Sequence, residues 1–235
     1  MANFITKQIP NSITCCNLMC GCMATGAAFH SHYEWAVLMI ILGAVFDFFD
    51  GMSARLLGVS SPIGKELDSL ADVVTFGVAP SALLFSLFGH VVYPAVLEPV
   101  RAYVPYTSFL MAAFSALRLA KFNLDTRQAT SFIGLPTPAN ALFWCSLILG
   151  SYGFLVSPKF NAVLLFMVML LFCFLMVAEI PLFALKFKNL SWQDNKVKYI
   201  FLLGCIPLIA FLGISCLSAI VLWYVVLSIA VNMRK

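Results

Sequence analysis

Charge is what this chain of 235 residues has least of. Lys, Arg, Asp and Glu make up only 10% of it, against about 25% in a soluble domain. That shortage leaves no room for a separate water-facing domain. No internal repeat or low-complexity stretch stands out, so nothing suggests a repeat array or a biased tail. The stretch from Met1 to Thr14 has one Lys and an Ile-Pro-Asn turn but no A-x-A-like cleavage site, and does not read as a removable signal peptide. The 8 cysteines lack the spacing of a zinc site or a disulfide framework. Cys16 and Cys20 fall on one helix face, yet cysteine in apolar segments behaves as a small packing hydrophobe. The net charge of +4 requires no nucleic-acid partner, because basic residues at span ends follow from topology and anionic lipid.

What the chain does have is apolar length. Hydrophobic residues make up 62%, and several runs approach the roughly 20 residues that cross a bilayer core. The expected fold is all-α: a polytopic membrane bundle of about eight transmembrane helices forming one catalytic domain over 1–235. The spans are placed at 13–30, 34–57, 62–88, 103–122, 135–156, 160–186, 198–213 and 215–233. With the N-terminus in the cytoplasm, eight crossings put every basic residue except Arg101 and Lys159 on the inner side. That bias obeys the positive-inside rule and places both termini inside. The Pro-rich segment Gly89–Pro105 then reads as an outer loop.

Against this apolar background one stretch stands out. It reads Asp47-x-x-Asp50-Gly51-x-x-Ala54-Arg55, then eight residues, then Gly64-x-x-x-Asp68-x-x-x-Asp72. Ionised groups at membrane depth are costly and rare, and mark function by default. Four neighbouring acids repel one another unless cations neutralise them. Asp47 and Asp50 share a helix face, as do Asp68 and Asp72. Asp47 lies about 12 Å of helical rise before Arg55, and Asp68 and Asp72 lie about 9 and 15 Å beyond Pro62. An antiparallel helix pair therefore brings all four carboxylates to one level. Such oxygen ligands suit magnesium or manganese, and two ions could clamp a pyrophosphate. Gly51 and Ala54 permit close approach to the backbone, and Arg55 can grip a phosphate with two prongs. Ser61 is a candidate N-cap, with Pro62 in the first turn and Gly64 relieving crowding.

This motif resembles the signature of the CDP-alcohol phosphotransferase family, with every fixed position present. The resemblance runs from residue 9 to about 140 and implies displacement of CMP from a CDP-linked lipid by an alcohol at a divalent-metal pair. It assigns Asp47, Asp50 and Asp68 to the metals, and Asp72 to the second metal and to the base that takes the acceptor's proton. It places Gly51, Ala54, Arg55 and Ser61 against CDP. Asn11 and Thr14, from the segment Pro10–Thr14, resemble the family's other nucleotide-contacting stretch. Two further segments, Ser115–Asn123 and Phe132–Ala139, resemble those of phosphatidylserine synthases, with Lys121 where Arg is commoner. The implied reaction takes CDP-diacylglycerol and L-serine to phosphatidylserine and CMP. The resemblance also implies a homodimer, while the charge placement points to a multi-pass protein of a bacterial-type cytoplasmic membrane with the active site facing the cytoplasm.

Serine carries a carboxylate that needs a cation. Arg118 and Lys121 at the inner end of span 4, with Asn123 adding hydrogen bonds, are the candidates to receive it, while Arg127 reads as a positive-inside anchor. The same chemistry with glycerol-3-phosphate or inositol phosphate is the first alternative. A cation or proton transporter is the second, since relays also place acids in membranes. His30, His32 and His90 fall at outer ends, far from the acids. Glu179 reads as a buried polar contact inside span 6, kinked at Pro181.

Overall fold

The computed structural model describes residues 4–59, 61–125, 132–183 and 191–232. Helices dominate it. α1 (Phe4–Phe29) and α2 (Tyr33–Leu57) form an antiparallel hairpin across the short turn 30–32. α3 (Pro62–Asp72) runs through a π-helical segment, Val73–Val78, into α4 (Ala79–Phe88), making one rod. α5 (Leu110–Leu124), α6 (Thr137–Leu155), α7 (Ala162–Val177), α8 (Trp192–Leu212) and α9 (Cys216–Asn232) come after it. Among the described residues, five stretches are long and apolar enough to cross a membrane: Gln8–Phe29, Tyr33–Leu57, Pro62–Phe88, Thr137–Leu155 and Trp192–Asn232. The last contains both α8 and α9, while α5 and α7 are shorter. The chain is a multi-pass membrane protein with an all-α bundle.

The rod Pro62–Phe88 is the axis of the core. Phe76, Leu83, Leu84 and Leu87 on it are fully buried, in one cluster with Trp144 and Ile148 of α6 and Phe172 of α7. The π-helical turn sits where three helices close on it. The Thr75 hydroxyl donates to the Asn17 carbonyl at 3.1 Å. A Cβ at Gly21 would lie 2.5 Å from Thr75 Oγ1, and one at Gly43 2.6 Å from Thr75 Cγ2. Only α1 and α2 segments without side chains at those points can pack so tightly.

Two of the spans that differ from expectation bear on the candidate site. α1 starts at Phe4 and carries Pro10 inside it, where a turn was expected. Pro10 is the seventh residue of α1, past the four amides that lack intrahelical acceptors, so it removes one i→i−4 bond and the helix continues through it. α7 ends at Val177, well short of 186. Pro181 disfavours helix at Ile180, and the chain instead pairs antiparallel as β2 (Pro181–Leu182) with β1 (Phe132–Ile133). Glu179 therefore lies outside the helix and exposed, not buried within a span. Gly134, at φ 74°, closes this junction. Its N–H donates to Ile180 O at 3.0 Å, and a Cβ there would lie 2.5 Å from Met176 O. Any other residue would meet both left-handed strain and backbone.

Candidate active site

Each acid is set by a local feature of its helix. α2 ends in a Schellman-type turn: Gly58, at φ 60°, donates to Arg55 O at 3.3 Å and Val59 donates to Ala54 O at 3.0 Å. The chain reverses, and Ser61 Oγ caps α3 by accepting from the Gly64 N–H at 2.9 Å, with Pro62 in the first turn. Both helices pack on α1, and the reversal brings their acids together. Ligand oxygens of Asp47, Asp50 and Asp68 lie within 4.8 Å of one another. Asp72, one helical turn beyond Asp68 on α3, is held from α1. The cluster fits a divalent ion: carboxylate oxygens are hard donors, and several converge on one point.

α1 holds two of these acids in place. The Thr14 hydroxyl donates to Asp50 Oδ2 at 2.7 Å, and Asn17 Nδ2 donates to Asp72 Oδ1 at 3.3 Å. Asp72 is only 8% exposed, so its single amide partner matters. Asn17 was not singled out from the sequence. Its signal is a polar amide one turn after Thr14 within an apolar run.

Beside the acids lies a cavity of about 210 Å³ lined by Asn11, Thr14, Asp50, Gly51, Ala54, Ser61, Gly64, Lys65 and Asp68, with Pro10 and Val59. Five of the six residues expected at CDP therefore share one wall system. The sixth, Arg55, is exposed on the last turn of α2 outside that lining. Gly51 has no atom within 4 Å of where a Cβ would stand, so it opens directly on free space. At Gly64, a Cβ would press on Asn11 Oδ1 at 3.0 Å. Lys65, a positive-inside residue by its place in the sequence, brings a cation to this cavity.

A second cavity, of about 280 Å³, lies between α5 and the end of α7. It is lined by Arg118, Lys121, Leu124, Asp125, Ile133, Met176, Val177, Ala178 and Glu179. Arg118 is 6% exposed, stacks over Phe122 with its guanidinium carbon 4.9 Å from the ring centroid, and feels the Asp72 charge. Its Nε and Nη2 have no hydrogen-bond partner among the described residues. Asn123 does not line this cavity. Its side chain donates to Ser69 Oγ at 2.8 Å and its carbonyl accepts from Lys65 Nζ at 3.3 Å, tying α5 to α3. Arg127 lies outside the described residues.

Comparison with known proteins matches residues 7–231 to the CDP-alcohol phosphatidyltransferase family. The chain belongs to that family. It is similar to proteins named CDP-diacylglycerol–serine O-phosphatidyltransferase. That of Bacillus subtilis is 38% identical over 74% of this chain and 89% of its own length. That of Helicobacter pylori strain 26695 is 31% identical over 96% of this chain and 95% of its own. That of Saccharomyces cerevisiae is 34% identical over 64% of this chain and 52% of its own. The protein is therefore a transferase of this family, and the transporter alternative falls away.

Proposed function

We propose that the protein transfers the phosphatidyl group of CDP-diacylglycerol to the hydroxyl of L-serine, releasing CMP. The observation that carries this reading is the presence in one bundle of three things: converging carboxylates, a cavity lined by the residues expected at the nucleotide, and a second cavity into which the buried Arg118 brings a guanidinium. The names of the similar proteins point the same way.

Asp47, Asp50, Asp68 and Asp72 would hold two divalent ions, magnesium or manganese, which when bound polarise the phosphate oxygens. The chain's own residues do the rest. Thr14 and Asn17 fix the orientation of Asp50 and Asp72. Gly51, Ala54, Ser61, Asn11 and Thr14 admit the CDP portion, and Arg55 closes on phosphate from the end of α2. Asp72 takes the serine hydroxyl proton as the new O–P bond forms and the P–O bond to CMP breaks. Arg118 and Lys121 receive the serine carboxylate, and Asn123 holds their helix to α3. The acids sit on the side rich in basic residues, which supports a site open to the cytoplasm, with both termini there. The working unit is a homodimer, which light scattering of the purified protein would check.

The deciding experiment is CMP release by the purified protein with CDP-diacylglycerol and manganese or magnesium, offering serine, glycerol-3-phosphate and inositol phosphate separately. Release with serine alone is expected. Release with a phosphate-bearing acceptor instead would keep the metal site and discard the serine assignment.

A further inference from the structure

The second cavity carries charges of both signs. Arg118 and Lys121 come from one face of α5, Asp125 from its C-terminal end, and Glu179 from the extended segment after α7. Two segments distant in sequence, the end of α5 and the chain after α7, are therefore needed to assemble its charges. The junction that supplies Glu179 is rigid: Leu135 N–H donates to Leu175 O at 2.8 Å, Gly134 N–H donates to Ile180 O at 3.0 Å, and β1 pairs with β2.

The cationic side points to an anionic ligand group. A buried guanidinium without hydrogen-bond partners is costly unless something arrives to pair with it. Two unpartnered N–H positions on one planar fork match the two oxygens of a carboxylate. A phosphate would satisfy them equally well. The acidic side separates those two ligands. Near neutral pH a phosphate monoester carries close to two negative charges and no positive one, and it would sit against two carboxylates. An α-amino acid carries one charge of each sign, and its ammonium finds an acceptor at Glu179.

Resting on the serine reading above, we propose that Glu179, with Asp125 beside it, is the specificity element of this enzyme. It receives the acceptor's ammonium and excludes phosphate-bearing and purely anionic alcohols, while Arg118 and Lys121 take the carboxylate. The pocket is thus a reader of zwitterions. Its test uses acceptors that each lack one charge. Glycerate keeps the serine skeleton with a hydroxyl in place of the ammonium, and ethanolamine lacks the carboxylate.

With the full-length protein, CDP-diacylglycerol and manganese, wild type should prefer serine over both by tenfold or more. E179Q should raise the serine KM about tenfold, lower the serine-to-glycerate ratio of kcat/KM by a similar factor, and leave the CDP-diacylglycerol KM in place. E179D should restore part of the preference. An unchanged serine KM and an unchanged ratio in E179Q would overturn the assignment while wild-type turnover with serine upholds the reaction. No CMP from wild type with serine would overturn the reaction itself, and this assignment with it. Should E179Q fail to fold, wild type alone still decides. Glycerate used as readily as serine would sink the proposal, and a tenfold preference for serine would support it.

Discussion

The two cavities of this protein are built on opposite principles. The one beside the acids is shaped by what is missing: Gly51 presents no side chain and Gly64 lets Asn11 come close. Its polar groups are already tied down, as Thr14 to Asp50 and Ser61 to the Gly64 amide show. The other holds a buried guanidinium whose Nε and Nη2 have no hydrogen-bond partner among the described residues. On the proposed reading, the first is pre-organised around the CDP portion, whose chemistry is constant, and the second, with hydrogen-bonding capacity unmatched, selects its ligand strongly.

That contrast can be broken by mutation, and the largest effect should come from an acid that lines neither cavity. Asp72→Asn removes the proposed base. CMP release with serine should fall about 100- to 10,000-fold while CDP-lipid binding persists, measured by turnover and by equilibrium binding of the labelled lipid. Normal turnover would remove Asp72 from its role. Arg118→Lys keeps the charge of the second cavity but loses the planar fork. The serine KM should rise about 10- to 100-fold, a loss of roughly 1.5–3 kcal/mol, with the CDP-diacylglycerol KM unchanged. A matching rise for the lipid would mean that the cavities do not act separately.

On the first cavity, Thr14→Val deletes the hydroxyl that steadies Asp50. The manganese concentration for half-maximal activity should rise about tenfold or more, with full rescue at saturating metal. Gly51→Val fills free space without touching another atom. The protein should keep its thermal stability, while the CDP-diacylglycerol KM rises roughly tenfold if the intruding methyls cost 1–2 kcal/mol. The smallest effect belongs to Ser61→Ala. Loss of the cap should cost about 1 kcal/mol, read as a lowered Tm, and serine selectivity should not move.

The same contrast explains what could be read from the chain. The first cavity comes largely from a short continuous segment, Asp50 to Asp68, so local spacing and helix caps were enough to assemble it in thought. Ser61 and Pro62 start α3 as their chemistry requires. The second cavity needs the end of α7 placed against α5, and the apolar run to Phe187 hides that end. Nothing local announces that Glu179 leaves the helix except Pro181, which fits a kink as well as a stop. The stop is decided by pairing with Phe132–Ile133, about 50 residues upstream. α8 also begins at Trp192, ahead of the expected 198, because polar residues can extend a helix beyond the apolar part of a span.

The π-helical turn at Val73–Val78 acts as a slack link along the central rod. Its i→i+5 hydrogen bonds hold about one residue more than an α-helical turn does. Removing one residue there would let the rod relax to regular α-helix with its length and the phase of its two ends almost unchanged. Removing one from the regular turn that opens α4 would instead rotate the core-facing leucines by about 100° against Asp68 and Asp72. The wide turn is therefore the place on the rod where the chain can gain or lose a residue without setting the acidic face against the packing.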